Sequence, residues 1–293
     1  MVQPRVPALL LLGCILLGML SGCAREASAE SRGAMQTIQN KGSDTLVNLA
    51  LAWAERYATV QPQVQIAVTG GGSGTGLAAL MNGTVDLANS SRRIKEEEIA
   101  QARANGVEPV EHIVAGDAIA VVVNPRNPVD RLTIPQLAAI FSGQITNWSE
   151  LGGEDRPIVR LSREVNSGTH VYFLEEVIRQ GSPDDKTLFS PETLLMPSSE
   201  GISSEIRRNP NAIGYDGLGY VTHDQKVIAI ASSDEGPYVL PTAATVRDGS
   251  YPIARSLYAY TVGEASGALK GYLEWIATAE AQQIVLELGF VPI

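Results

Sequence analysis

Residues 64–81 read Val64-Gln65-Ile66-Ala67-Val68-Thr69-Gly70-Gly71-Gly72-Ser73-Gly74-Thr75-Gly76-Leu77-Ala78-Ala79-Leu80-Met81, and the fold follows from them. Val64 to Val68 predicts a strand, Gly70 to Gly76 a glycine-rich turn, and Leu77, Leu80 and Met81 the start of a helix at helical spacing. Upstream, Ser43-Asp44 stands before Leu46, Leu49, Trp53 and Tyr57, apolar positions at helical spacing behind capping residues. Downstream, Val85 to Ala88 predicts a second short strand running into Asn89-Ser90-Ser91-Arg92.

The same alternation continues to the end of the chain. Ala118 to Val123 is the most continuous β-branched run and predicts a buried strand that crosses between lobes. Thr133-Ile134-Pro135 opens a helix through Phe141, with proline in the tolerated first turn. Ile158 to Leu161 predicts a strand leading into Arg163-Glu164-Val165-Asn166-Ser167-Gly168-Thr169, followed by a helix carrying Val171, Leu174, Val177 and Ile178. Further strands are predicted at Ala212–Tyr215, Val227–Ala231 and Leu257–Thr261, and one closing helix over Gly267–Leu288 that packs back on the first lobe. Strands alternating with helices define an α/β protein with largely parallel sheets. A chain of 293 residues approaches the size at which one core splits, so two lobes are expected.

At 44% hydrophobic and 18% charged residues the chain is too apolar to be disordered. Its formal net charge of −10 gives no basic stripe and argues against nucleic acid as a partner. A small anion remains a suitable ligand, because backbone N–H groups at helix starts attract anions locally.

The N-terminus carries an address. Arg5 precedes the apolar run Ala8–Leu20, the pattern of a secretory signal, and the run is shorter than the roughly 20 residues a spanning helix needs. Leu20-Ser21-Gly22-Cys23 resembles the bacterial lipobox, which makes residues 1–22 a lipoprotein signal peptide and Cys23 the lipidated first residue of the mature chain. Residues 23–35 read as a flexible tether. The other cysteine, Cys14, lies within the apolar run, so the mature domain beyond Cys23 has no thiol for a disulfide, a metal site or a nucleophile.

Four segments share one chemical design. Gly70–Gly76 and Asn166–Thr169 each follow a strand with glycine and hydroxyl residues and then a helix start, which aims free N–H groups and hydroxyls at one point. Ser43–Thr45 and Ser90-Ser91-Arg92 are the third and fourth such clusters, and Arg163 adds a planar fork suited to an oxyanion. Each also has a plainer reading: Ser43 and Asp44 as a helix cap, the glycines as a turn, Arg163 as the partner of a surface acid. Four clusters together suit an anion enclosed on all sides.

Enzyme motifs fit poorly. Gly71-Gly72-Ser73-Gly74-Thr75 breaks the G-x-S-x-G elbow at its last position, and Leu77 stands where a phosphate-binding loop needs lysine. His112, His170 and His223 show no metal-ligand spacing, so neither a metal nor another cofactor is expected. The class that stays open beside a binding module is an exported phosphoester hydrolase with Ser73 or Ser167 as nucleophile.

The segments GSDTL (42–46), WAERY (53–57), VTGGGSGTGLAAL (68–80), GTVDLANSSR (83–92), IFSGQITNW (140–148), SREVNSGT (162–169) and IGYDGLGYV (213–221) occur in an order that resembles the phosphate-binding proteins of ABC importers, over about residues 37–293. That resemblance implies the type II periplasmic-binding fold: lobe 1 from 36–115 with 233–293, lobe 2 from 116–232, and a cleft that closes by a hinge. It implies inorganic phosphate as ligand, delivery by a monomer to the importer's membrane subunits, and a lipid anchor in a bacterial membrane. Position by position it places phosphate against the backbone of Thr45 and Leu46, against Ser73, and against Arg163 with Ser167, Gly168 and Thr169; Ser43, Asp44, Ser91 and Arg92 complete the candidate set. Several family members carry aspartate where this chain has Ser91, a carboxylate that accepts the proton of hydrogen phosphate and rejects sulfate. Asp44 is the candidate replacement acceptor, and binding of another tetrahedral oxyanion, sulfate or molybdate, is the nearest alternative.

Overall fold

A computed structural model describes residues 35–293; the leader 1–22, Cys23 and the tether up to residue 34 lie outside the described residues. The strands are β1 Gln36–Gly42, β2 Val64–Thr69, β3 Leu87–Ser90, β4 Pro109–Val123, β5 Arg131–Thr133, β6 Val159–Arg163, β7 Leu194–Met196, β8 Ala212–Gly217, β9 Lys226–Val227, β10 Ala229–Ala231 and β11 Ala254–Val262. The α-helices are α1 Val47–Val60, α2 Ser73–Met81, α3 Glu96–Ala104, α4 Ile134–Ser142, α5 Gly168–Tyr172, α6 Ser199–Arg208, α7 Ala243–Arg247, α8 Gly267–Ile276 and α9 Ala279–Glu287.

The main sheet runs β2-β1-β3-β11-β4-β8-β6-β7. Its two wings are parallel, β1 with β2 and β3 on one side and β6 with β7 and β8 on the other. Antiparallel β11 and β4 join the wings: β11 pairs with β3 and β4, and β4 pairs with β8 through its last five residues. The strand predicted at Ala118–Val123 is thus the last part of a strand more than twice as long. Its earlier part was hidden by Glu111, His112 and Asp117, polar residues that break an apolar run.

Two main cores lie on either side of Gly116–Asp117. Val114 and Ala115 belong to one with Ile38, Leu49, Trp53, Tyr57, Leu257, Tyr272 and Trp275. Ala118, Ile119 and Val121 belong to the other with Phe141, Trp148, Phe173, Tyr215, Tyr251 and Ile253. The apolar spacing Leu49, Trp53 and Tyr57 turns one face of α1 into the first core, where Trp53 Nε1 donates to the carbonyl of Ala281 at 2.9 Å. In the second, Thr133 caps α4 with a reciprocal box, its Oγ1 accepting from Gln136 N at 3.3 Å and its own N–H donating to Gln136 Oε1 at 2.9 Å.

The single closing helix expected over Gly267–Leu288 is two helices. Thr278 breaks it: its hydroxyl donates to Trp275 O at 2.7 Å and accepts from Ala281 N at 3.4 Å, ending one helix and capping the next. Downstream of α5 the chain continues as a π-helical segment, Phe173–Ile178.

Candidate functional site

Parallel strands bring their C-terminal ends together, and loops after those ends are where open α/β sheets bind ligands. Gly42 of β1 is registered against Asn89 of β3, so Ser43–Leu46 and Ser91-Arg92 leave the sheet close together. The glycine-rich loop after β2 crosses to the loop after β6: Gly74 N donates to Asn166 O at 2.9 Å and Asn166 Nδ2 to Gly71 O at 3.1 Å. Gly72 is required there, because its φ is +92° and an added Cβ would lie 2.8 Å from Asn166 O.

These loops converge on a cluster of buried hydroxyls. Thr45 Oγ1 and Thr169 Oγ1 are 2.9 Å apart, Ser73 Oγ and Ser91 Oγ 3.2 Å, and Ser91 Oγ and Thr169 Oγ1 3.5 Å. Ser91 N donates to Ser73 Oγ at 3.0 Å. Ser167 caps α5, its Oγ accepting from Thr169 N at 3.2 Å. Gly168 sits in the middle; a Cβ there would fall 2.4 Å from Ser73 Oγ and 2.6 Å from Ser91 Oγ. Ser43 Oγ, also buried, has no hydrogen-bond partner among the described residues, while Leu46 N donates to Ser43 O at 3.1 Å within the turn.

Arg163 and Asp44 form a second group beside the first. Asp44 Oδ2 is 3.1 Å from Arg163 Nη2 and accepts from Ser199 N at 2.9 Å. Arg163 also donates to Ser199 Oγ at 2.9 Å and to Pro197 O at 3.1 Å. Ser199 Oγ donates in turn to Asp216 Oδ1 at 2.8 Å. Burial pushes Asp216 up to about 7 even though Arg163, Ser199 and the N–H of Gly217 pull it down, and its Oδ2 has no partner among the described residues.

Arg92 does not join either group. Its guanidinium forms a bidentate pair with Glu98 at 2.7 Å on each arm. Burial works against the Glu98 charge, but this pair outweighs it and holds the carboxyl below its ordinary range. Glu98, in the first turn of α3, was the signal for this pairing.

Sequence reasoning missed Arg255 and Asp117. Arg255 donates through Nε and Nη2 to Asp117 Oδ2 at 3.1 and 2.8 Å, through Nη1 to Ser91 O at 2.9 Å, and through Nη2 to Thr169 Oγ1 at 3.0 Å. Its guanidinium carbon lies 5.6 Å from the centre of the Tyr172 ring. Asp117 is fully buried at the junction of the two cores and also accepts from Leu218 N at 3.1 Å. His170, next to Thr169, belongs to the second core: Nδ1 is 2.9 Å from Ser162 Oγ, its ring stacks on Phe189 at 4.4 Å, and burial pushes it down to about 4.

A two-winged α/β fold with a buried donor cluster at the strand ends defines a solute-binding protein of the periplasmic-binding class, and a family model described as "PBP superfamily domain" matches residues 27–280. Phosphate-binding protein PstS of Pseudomonas aeruginosa is 32% identical over 281 residues, covering 90% of this chain and 85% of the relative; the PstS of Bacillus subtilis is 36% identical over 253 residues, covering 86% and 79%. A Clostridium perfringens substrate-binding protein solved with bound phosphate superposes with a TM-score of 0.79 at 30% identity, covering 88% of this chain and 100% of that one. The chain belongs to the PstS family of phosphate-binding proteins within the PBP superfamily.

Proposed function

We propose that this protein binds inorganic phosphate outside the cytoplasmic membrane and hands it to the membrane subunits of an ABC importer, without bond breaking. The carrying observation is the convergence of Thr45, Ser73, Ser91, Ser167 and Thr169 around Gly168. Removing a multiply charged anion from water is costly, so its oxygens need donors on every side, and hydroxyls with helix-start N–H groups supply them without burying excess charge. Asp44 and Arg163 complete the site at its edge. The two lobes close as a hinge, lobe 1 from 36–115 with the C-terminal segment and lobe 2 from the middle. The second crossover lies nearer Ala254 than residue 233, since Tyr251 and Ile253 pack in the second core.

The same reading makes the chain a monomer exported by residues 1–22 and acylated at Cys23. No helix of the described residues is long and apolar enough to cross a membrane. Incorporation of labelled palmitate, lost in Cys23→Ala, is the expected result. The test of function is isothermal titration of the soluble chain lacking residues 1–23, stripped of anion, against phosphate with sulfate as competitor. One-to-one phosphate binding untouched by sulfate is expected; binding of sulfate or molybdate alone would support the second reading, which rests on Ser91 standing where several family members have a carboxylate. Steady turnover of a chromogenic phosphate ester, surviving repurification, would point to a hydrolase.

A further inference from the structure

Within the phosphate-binding reading above, we propose that Arg255, clamped by Asp117, is the positioning residue of the site: it fixes the Thr169 hydroxyl as a donor into the hydroxyl cluster and sets the positive end of a buried ion pair behind that cluster. Arg163, the arginine that the SREVNSGT motif singles out, is directed elsewhere, to Asp44, Ser199 and the carbonyls of Pro197 and Met196. Arg255 alone of the two donates into the cluster, to Thr169 Oγ1 and to the backbone oxygen of Ser91.

The consequence is electronic as well as geometric. A hydroxyl whose oxygen accepts from a guanidinium has its own proton polarised outward, and Thr169 Oγ1 faces Thr45 Oγ1 at 2.9 Å and Ser91 Oγ at 3.5 Å. Donor character thus passes from Arg255 through Thr169 to Thr45. Arg255 cannot swing away, because Asp117 Oδ2 takes two of its N–H groups, the ring of Tyr172 lies against its guanidinium, and its side chain is 2% exposed. Asp117 is held in turn by Leu218 N, in the turn after β8, and sits where β4 passes between the two cores. Lysine at 255 would keep the charge but could not span Asp117, Ser91 and Thr169 together.

The test is phosphate titration of the parent chain, Arg255→Lys, and the paired variant Asp117→Asn/Arg255→Gln, at about pH 5.5 and about pH 8.5, on either side of the second phosphate ionisation. Removing both partners avoids a lone buried charge; circular dichroism reports the fold. Expected are a loss of roughly 10- to 100-fold in affinity for the paired variant, larger at the alkaline pH where the dianion dominates, and a smaller loss in Arg255→Lys with the parental dianion preference kept. If the paired variant does not fold, Arg255→Lys decides. Parental affinity in Arg255→Lys, or an equal loss at both pH values in a folded paired variant, overturns the proposal. A parent that binds no phosphate sinks the functional reading and this one together, whereas a binding parent with unaffected variants sinks this one alone.

Discussion

Asp44 holds Arg163 through one carboxylate oxygen: Oδ2 lies 3.1 Å from Nη2 and takes the Ser199 N–H at 2.9 Å as well. The other oxygen, Oδ1, accepts no hydrogen bond from the described residues and faces Gly70, 3.5 Å from where a side chain there would begin. One oxygen anchors the carboxylate and the other is left as an acceptor beside the glycine-rich loop.

Asp44→Asn therefore tests selectivity. A carboxylate oxygen welcomes the proton of hydrogen phosphate and repels sulfate, whereas an amide discriminates less. The expected result is sulfate competition in the variant that is absent in the parent, read by titration with both anions. Unchanged discrimination would remove Asp44 from the role of selector.

Arg163→Ala is expected to damage the fold and the site together. It strands Asp44 and leaves Ser199 and Asp216 without their cation, and breaking a buried ion pair costs about 3–5 kcal/mol. Urea denaturation should show the unfolding free energy falling by that amount, and phosphate affinity should fall with it. A variant of parental stability would mean that the pair is dispensable.

Gly168→Ala separates packing from charge. The added methyl would sit 2.4 Å from Ser73 Oγ and 2.6 Å from Ser91 Oγ, so the hydroxyls must spread. Overpacking of about 1–3 kcal/mol predicts a loss of roughly tenfold or more in phosphate affinity with the overall fold kept. Affinity within twofold of the parent would show that the cluster yields freely.

Asp216 predicts a pH effect on stability. Its carboxyl is pushed from 3.8 to about 7 by burial, so the folded chain holds a proton that the unfolded chain has released between those values. Stability from this group is greatest below about pH 4 and is lost as pH rises toward 7. Asp216→Asn removes the loss, so its stability relative to the parent should grow between pH 4 and 8, by up to about 4 kcal/mol. A constant difference across that range would contradict the assignment.

Local patterns were legible where side chains answer to their own neighbours. The spacing of Leu49, Trp53 and Tyr57 predicted the buried face of α1, and Thr133 with Pro135 predicted the start of α4. The hydroxyl cluster was legible because each of its members sits in a strand–turn–helix segment. Arg255 and Asp117 were not: they are 138 residues apart, on two strands whose pairing no local pattern announces. Arg92 was read as a ligand contact, whereas Glu98, close by in sequence, holds its side chain. Helix α7 escaped because it has only five residues, and α6 because the only apolar residues it offers to a core are Ile202 and Ile206.

The bonds between Asn166 and the glycine-rich loop have a kinetic meaning. Gly74 N to Asn166 O and Asn166 Nδ2 to Gly71 O join the loops that carry Ser73 on one side and Ser167 to Thr169 on the other. In the proposed function, a solute held behind them would depart only after both have parted. Loosening this clasp, as Asn166→Ala would, should shorten the residence time of the solute while leaving its rate of capture nearly unchanged.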